Sequence, residues 1–293
     1  MARHLMLWGV ALSLLAGCAG PLQRTVTVQK ATDTPTFDDD GSDDWEEPTE
    51  WRRTDDHRRP REFLREPYVQ ATLGYAVGEY DHETQGSTLD GDTAAGLLRF
   101  TAEGVGRPGF GGGVAIEFGA SDDDLFDDVS VTNGEARFFD AFIHATFRLA
   151  PSPYFRMPVR VGPYLHALGL EFDPNTDVTW ASVGARVQVE PEVLVYRGPH
   201  AEVGIFTELT VGAHSTRVDR DTNNPLTDDE YDTEGYTAGV SVGVRGRWKG
   251  FTAGLAYIHR TMQFDESDPE NGVFIREARG QFNGLMAEMG FSF

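Results

Sequence analysis

Lysine is nearly missing from this chain of 293 residues, occurring only at Lys30 and Lys249, so arginine carries almost all of the positive charge. Acidic residues outnumber basic ones 47 to 25. No basic cluster is dense or interleaved with aromatics, which argues against a nucleic-acid partner. Cysteine occurs once, at Cys18, and that excludes any disulfide within one chain. The apolar run Leu5 to Leu15 falls well short of the ~20 residues that a membrane-spanning helix requires.

What stands at the start reads as a targeting segment. Arg3 and His4 precede the apolar run, and Leu15-Ala16-Gly17-Cys18 follows with the small residues that suit cleavage. This stretch resembles the lipobox of bacterial lipoproteins. The resemblance implies that Cys18 becomes the lipidated first residue of the mature chain. Ala19, standing where an Asp would signal inner-membrane retention, implies sorting to the outer membrane of a Gram-negative bacterium.

Residues 1–17 are therefore expected to be a lipoprotein signal peptide, 18–66 a lipid-anchored disordered linker and 67–293 a barrel domain. The linker is rich in Thr, Asp and Pro and has too few periodic apolar residues to offset the cost of ordering. An acidic block runs from Asp38 to Glu50 and an Arg-rich one from Arg52 to Arg65. The plain reading is a solvated tether. The functional one has Arg52, Arg53, Arg58, Arg59 and Arg61 touching anionic headgroups or the cell wall.

After Pro67 the hydrophobic period becomes two. Val69, Ala71, Leu73, Tyr75 and Val77 share one face, and Gln70, Thr72, Gly74 and Gly78 the other, which is the signature of a strand with one apolar side. The pattern returns near 95–105, 110–120, 134–149, 155–170, 178–196, 201–214, 234–248, 251–264 and 278–293. Short turns such as Gly106-Arg107-Pro108-Gly109 and Ala150-Pro151-Ser152-Pro153 alternate with longer polar loops near 81–94, 121–133, 171–177, 215–233 and 265–277. The expected fold is all-β: an antiparallel transmembrane β-barrel of about ten strands with short turns at one end and long loops at the other.

Aromatics near strand ends suggest two interfacial girdles, with Tyr68, Tyr154, Phe155, Phe251 and Phe291 at the turn end and Tyr80, Trp180, Tyr236 and Phe264 at the loop end. The last strand, Leu285 to Phe293, alternates and finishes on an aromatic. It resembles the C-terminal assembly signal of bacterial outer-membrane β-barrel proteins, in which Phe291 and Phe293 would be read by the barrel-assembly machinery. The resemblance implies outer-membrane lipid as the surroundings. The main rival is a lipid-anchored soluble barrel of the lipocalin kind.

By parity the polar face carries Arg99, Arg148, Arg160, Arg186, Arg245 and Arg260 against Glu103, Glu117, Asp140, Glu190, Glu202, Glu208 and Glu288. Ionised groups in a narrow lumen must be paired or hydrated, so near-balance favours a salt-bridged plug, with a narrow pore or ligand-binding barrel as the alternative. His144 and His166 share this face with Tyr164, Asp140 and Thr146, and His82 beside Asp81 and His214 near Asp219 lie toward the loop end. No spacing among them compels a catalytic site, so a surface hydrolase of the barrel-protease or lipid-modifying type is the third reading.

Two motifs are decoys. Gly104, Gly106 and Gly109 spell a dinucleotide fingerprint with no helix to follow, and Gly239-Val240-Ser241-Val242-Gly243 spells a nucleophile elbow in mid-strand. The segment Asp219 to Glu230 places acids at positions one, three and twelve and Asn223 at five. It resembles an EF-hand-type loop, which implies Ca2+ held by Asp219, Asp221, Asn223 and Glu230, although Asn224 stands where that loop has Gly. No other cofactor is expected.

The leading reading is a small outer-membrane lipoprotein barrel with a structural or interaction role, an occluded lumen and acidic extracellular loops. Cys18→Ala is expected to abolish acylation yet leave the barrel in the membrane fraction, because the apolar strand faces supply insertion on their own. Recovery of this variant as a folded, soluble periplasmic protein would refute the transmembrane reading.

Overall fold

The computed structural model describes residues 68–292, apart from 86–90, 107–108, 123–124, 126–133, 174–175, 199, 223–228 and 268–275; side chains at 172, 173, 176, 221, 222, 229 and 230 also lie outside the described set. The expected signal peptide, Cys18, the linker and Phe293 therefore fall outside it. The described residues form eleven strands: β1 (Tyr68–Thr84), β2 (Gly91–Val105), β3 (Phe110–Ser121), β4 (Glu135–Ser152), β5 (Phe155–Asp173), β6 (Thr176–Val189), β7 (Glu192–Arg197), β8 (Ala201–Thr222), β9 (Asp229–Trp248), β10 (Phe251–Phe264) and β11 (Ala278–Ser292). Each pairs antiparallel with its neighbours, and the ladder β1–β11, from Gln70↔Ser292 to Thr84↔Ala278, closes the sheet on itself.

β6 and β7 occupy one position in the wall, since both lie between β5 and β8. The barrel thus has the expected ten positions. The single strand expected at 178–196 is divided at Glu190-Pro191, where proline has no N–H to give to the ladder. The backbone nonetheless stays tied there: Glu190 N–H donates to the Pro158 carbonyl at 3.0 Å, and the Pro191 carbonyl accepts from Thr207 N–H at 3.0 Å.

Alternation decides which way each side chain points. In β1, Val69, Leu73, Tyr75 and Val77 are exposed on the outer wall, while Thr72, Ala76 and Tyr80 are buried inside. The outer wall repeats this around the ring, with Leu98, Phe118, Ile143, Leu165, Val183, Leu209, Val242, Leu255 and Leu285 all exposed. Exposed apolar side chains of this number form a continuous belt, far beyond the scattered apolar residues of a soluble surface.

The wall is taller than its belt. β1 runs on through outward-facing Glu79, Asp81 and Glu83, and β8 and β9 run on through Arg217, Asp219, Asp232 and Glu234, still in register from Val211↔Ala238 to Arg220↔Asp229. Much of the loops expected at 81–94, 171–177 and 215–233 is therefore ladder. The apolar alternation stops where the outer face meets a polar medium, and the hydrogen bonding does not.

The β9–β10 connection shows how tightly the turn end is built. Trp248 pairs with Phe251, so only Lys249 and Gly250 turn the chain, with φ of 47° and 84°. Two successive positive φ values mark a type I′ hairpin, the form whose twist matches the flanking strands. Glycine meets that demand freely and lysine does not. Lys249→Asn is expected to leave the fold intact and raise stability by up to about 1 kcal/mol. Gly250→Ala should lower it by about 1 kcal/mol or more, because a Cβ would also meet the Ser292 carbonyl at 2.8 Å. Urea titration of the barrel in detergent micelles measures both.

Candidate functional site

The lumen is filled by layers of ion pairs. Nearest the turn end, Glu192 lies 2.8 Å from Arg156 and accepts from Arg247 at 2.8 Å, while Glu202 accepts from Arg156 at 2.7 Å and lies 3.4 Å from Arg197. The next layer joins Arg160 to Glu103 at 2.5 Å and Glu190 at 2.9 Å, and Arg245 to Glu190 at 2.5 Å and Glu288 at 2.6 Å. Above it Arg99 bridges Glu117 at 3.2 Å and Glu208 at 3.1 Å, and Arg260 joins the same Glu117. The innermost pair is Arg186 with Asp140, made twice at 2.7 and 2.5 Å, with His166 Nδ1 at 3.5 Å.

Such a mesh follows from the strand period. Every second residue points inward, so an arginine on one strand meets a carboxylate on a strand across the lumen, as Arg99 meets Glu208 and Arg260 meets Glu117. Several carboxylates are paired with more than one guanidinium, and Glu190 accepts hydrogen bonds from two, Arg160 and Arg245. The rest of the polar lining joins in. Tyr68 and Thr146 hydroxyls both donate to Glu103, and His144 Nδ1 lies 3.0 Å from Thr146 Oγ1. Arg186 lies 4.1 Å over the Tyr164 ring, Arg245 4.2 Å over Phe206 and Arg148 5.2 Å over Tyr68.

Beyond Asp140 the interior becomes mainly apolar, with His82, Ser182, His214 and Thr216 buried among the aromatics. Tyr80, Leu97, Leu168, Leu170, Trp180, Val218, Ile258, Phe264, Phe282 and Leu125 form one buried cluster, with Phe138 packed against it. Tyr80 stacks on Phe138 at 5.6 Å and Trp180 lies 5.9 Å from Phe264. Two spaces stand out among the described residues of the lumen. One, of about 340 Å³, opens among the arginines and glutamates at the turn end, and the other, about 90 Å³, lies between the charge layers and the apolar cluster beside Asp140, Arg260 and Phe282.

All thirteen charges assigned to the lumen by parity line it, and twelve of them make the ion pairs given above; Arg148 covers the Tyr68 ring. Four further ones escaped the sequence reading. Arg156, Glu192 and Arg247 share parity with Arg160, Glu190 and Arg245 but sit close to the turns. Arg197 could not be found by parity, because the register shifts between Leu194 and Tyr196. The loop-end girdle needs correction. Tyr80, Trp180 and Phe264 are buried inside, and of the four aromatics assigned there only Tyr236 lies on the outer wall. Their parity with Gly78, Ser182 and Arg260 already placed them inward. Tyr154, Phe251 and Phe291 are exposed on the wall at the turn end, whereas Tyr68 turns in to Glu103.

The histidine pairings also differ from the sequence reading. Asp81 and His82 point to opposite faces, as neighbours on a strand must, and so do His214 and Asp219. His214 is instead 2.6 Å from the Tyr164 hydroxyl and packs on Phe264. Ser241 of the elbow-like motif is buried in mid-strand β9.

The EF-hand-type reading required a loop from Asp219 to Glu230, but both residues lie in the β8–β9 ladder, where they are direct partners. Asp219 is exposed on the outer wall, Asn223 lies outside the described residues, and so do the side chains of Asp221 and Glu230. Among the described residues no three His, Cys, Asp or Glu side chains gather where a metal could be held.

A closed ten-position antiparallel barrel with an apolar outer belt and a charged lumen has the fold of the outer-membrane β-barrels. Solved structures place it there: the chain is similar to the outer membrane protease OmpT from Escherichia coli, with a TM-score of 0.50 and 12% identity over 78% of this chain and 96% of that one. It is also similar, more distantly, to the translocator domain of autotransporter NalP from Neisseria meningitidis (TM-score 0.39, 11% identity, 78% and 88% covered). A third is Ail, the attachment invasion locus protein of Yersinia pestis (TM-score 0.30, 12% identity, 78% and 99% covered). At these identities the OmpT likeness establishes the fold alone. No protein-family description and no curated protein matches the sequence.

Removing one member of the innermost pair tests how the lumen is held. Arg186→Leu leaves the buried Asp140 carboxylate without its bidentate partner and should cost about 3–5 kcal/mol. The double change with Asp140→Leu should recover a large part of that loss. Losses that simply add, measured by the same unfolding titration, would mean that water rather than the partner solvates each charge.

Proposed function

We propose that this chain is an outer-membrane lipoprotein whose closed barrel serves as a structural or interaction platform, with its loops facing outward and its lumen occluded. The observation that carries the reading is the filling of the lumen by two unlike materials in series, four layers of ion pairs and an apolar cluster. An ion crossing it would have to displace paired guanidiniums and then enter a closely packed, largely aromatic region, which opposes conduction more strongly than either barrier alone. The outer belt supports residence in lipid, and the polar wall above it supports exposure of the loop end to water. A lipid on Cys18 would add an anchor that the barrel does not need for insertion.

The two other readings have less support. The charged lumen suits a pore at the turn end only, since the apolar cluster lies in its path. The protease activity of OmpT belongs to that protein. Here Asp81 faces away from His82 and Asp219 away from His214, so these two pairs do not form.

Planar-bilayer recordings of the purified barrel are the direct test. We expect no conductance steps at high salt and none at either polarity. Stable open-channel currents from the unaltered protein would overturn the occluded reading while leaving the fold untouched.

A further inference from the structure

The apolar belt is not equally tall around the ring. Upward from the turn end, β4 shows six apolar residues on its outer face, from Leu149 to Phe139. β10 shows only four, from Phe251 to Tyr257, and β11 only four, from Phe291 to Leu285. The next two outward positions are His259 and Thr261 on β10, paired with Asn283 and Gln281 on β11. Counted from the turns, they stand at the height where β4 still shows Ala141 and Phe139, and their partners on β9 are Val240 and Ala238. β1 continues the change, since Glu79 pairs with Asn283 and Asp81 with Gln281. A polar strip thus replaces the top of the belt over β10, β11 and β1, and lowers it by about 13 Å along β10 and β11.

Polar side chains at lipid depth are costly unless partnered, and they mark a functional surface. Part of the strip satisfies itself. Asn283 Oδ1 accepts from the Tyr257 hydroxyl at 3.5 Å and lies 2.5 Å from His259 Nδ1, while Thr261 Oγ1 lies 3.4 Å from His259 Nε2. The Asn283 amide nitrogen keeps its hydrogens to give, and among the described residues Glu79 and Gln281 have no hydrogen-bonding partner. The groups left over are therefore of two kinds on adjacent strands, amide donors on β11 and carboxylate acceptors on β1.

We propose that this strip is a docking face for a second copy of the chain, the two barrels being related by a two-fold axis along the membrane normal at the β1–β11 seam. Such an axis sets β11 of one copy against β1 of the other. The Asn283 and Gln281 amides of each copy then donate to Glu79 and Asp81 of the other, and the contact is made twice. Exposed Tyr75, Val77 and Leu285 just below the strip extend it with apolar surface. An anionic lipid headgroup in the same place would meet the like charge of Glu79 and Asp81. The proposal rests on the residence of the barrel in lipid and names a partner for the platform reading; its failure leaves the occluded lumen untouched.

The test uses the full-length chain reconstituted alone in phosphatidylcholine vesicles and treated with a short bismaleimide. Leu285→Cys puts a thiol beside the seam, Leu165→Cys puts one on β5 away from it, and the unaltered chain gives the baseline for Cys18. Leu285→Cys is expected to give a cross-linked dimer, and Leu165→Cys none above the baseline. Glu79→Leu and Gln281→Leu, each added to Leu285→Cys, should lower the dimer yield by about tenfold, the scale of one hydrogen bond made in lipid. Gln281 bonds to nothing within its own copy, so its variant decides the matter if Glu79→Leu fails to fold. Cross-linking of folded Leu285→Cys no greater than that of Leu165→Cys would mean that the strip faces lipid headgroups or another protein, and would overturn the proposal. A dimer yield unchanged in the folded Gln281→Leu barrel would do the same.

Discussion

The structure depends on pairing guanidinium with carboxylate away from bulk water. An ionised group inside a narrow barrel costs several kcal/mol of desolvation, and only well-made, shared hydrogen bonds offset it. Sharing is what the lumen shows: Glu103, Glu117, Glu190, Glu192 and Glu202 each face more than one ion-pair or hydrogen-bond partner. The near-total use of arginine fits this demand. A planar fork can address two carboxylates at once, as Arg156, Arg160, Arg245 and Arg99 do, where a lysine would offer a compact and more strongly hydrated charge.

A second constraint acts from outside. The strands must show apolar residues to one side over the height of the belt and nowhere else, so outer-face composition changes along a strand while the ladder runs on. This explains why the wall extends through Glu83, Asp219 and Asp232, and why the interior at that height changes character too. Once the outer wall faces a polar medium, the apolar material moves inside, and Tyr80, Trp180 and Phe264 build a core like that of a soluble protein. The barrel is inside-out at the belt and conventional above it.

The alternation of Val69 to Val77 and its nine recurrences was enough to read ten positions, their direction and the closed sheet. It also assigned thirteen lumen charges, because strand parity is a local property. Three kinds of feature were not legible. Strand ends were cut short at Gly78 and His214, since a polar outer face looks like a loop when apolar alternation is the signal. Arg197 was hidden by a register shift that depends on β8, a neighbour in space. The partner of each charge, such as Glu208 for Arg99 across 109 residues of sequence, depends on which strands face each other across the lumen. Nothing in the local pattern encodes that.

The seam between β1 and β11 sets Gln70 against Ser292, so the first and last described strands are the ones that complete the ring. Until that ladder forms, β1 and β11 each present a row of unpaired amides and carbonyls, and every intermediate is an open sheet with two adhesive edges. Bringing the edges together closes a loop of more than two hundred residues, a contact as non-local as the described strands allow. Ring formation is therefore the step that must close the longest loop in the sheet. An agent that held the free edge of either strand would govern whether a barrel or an aggregate results.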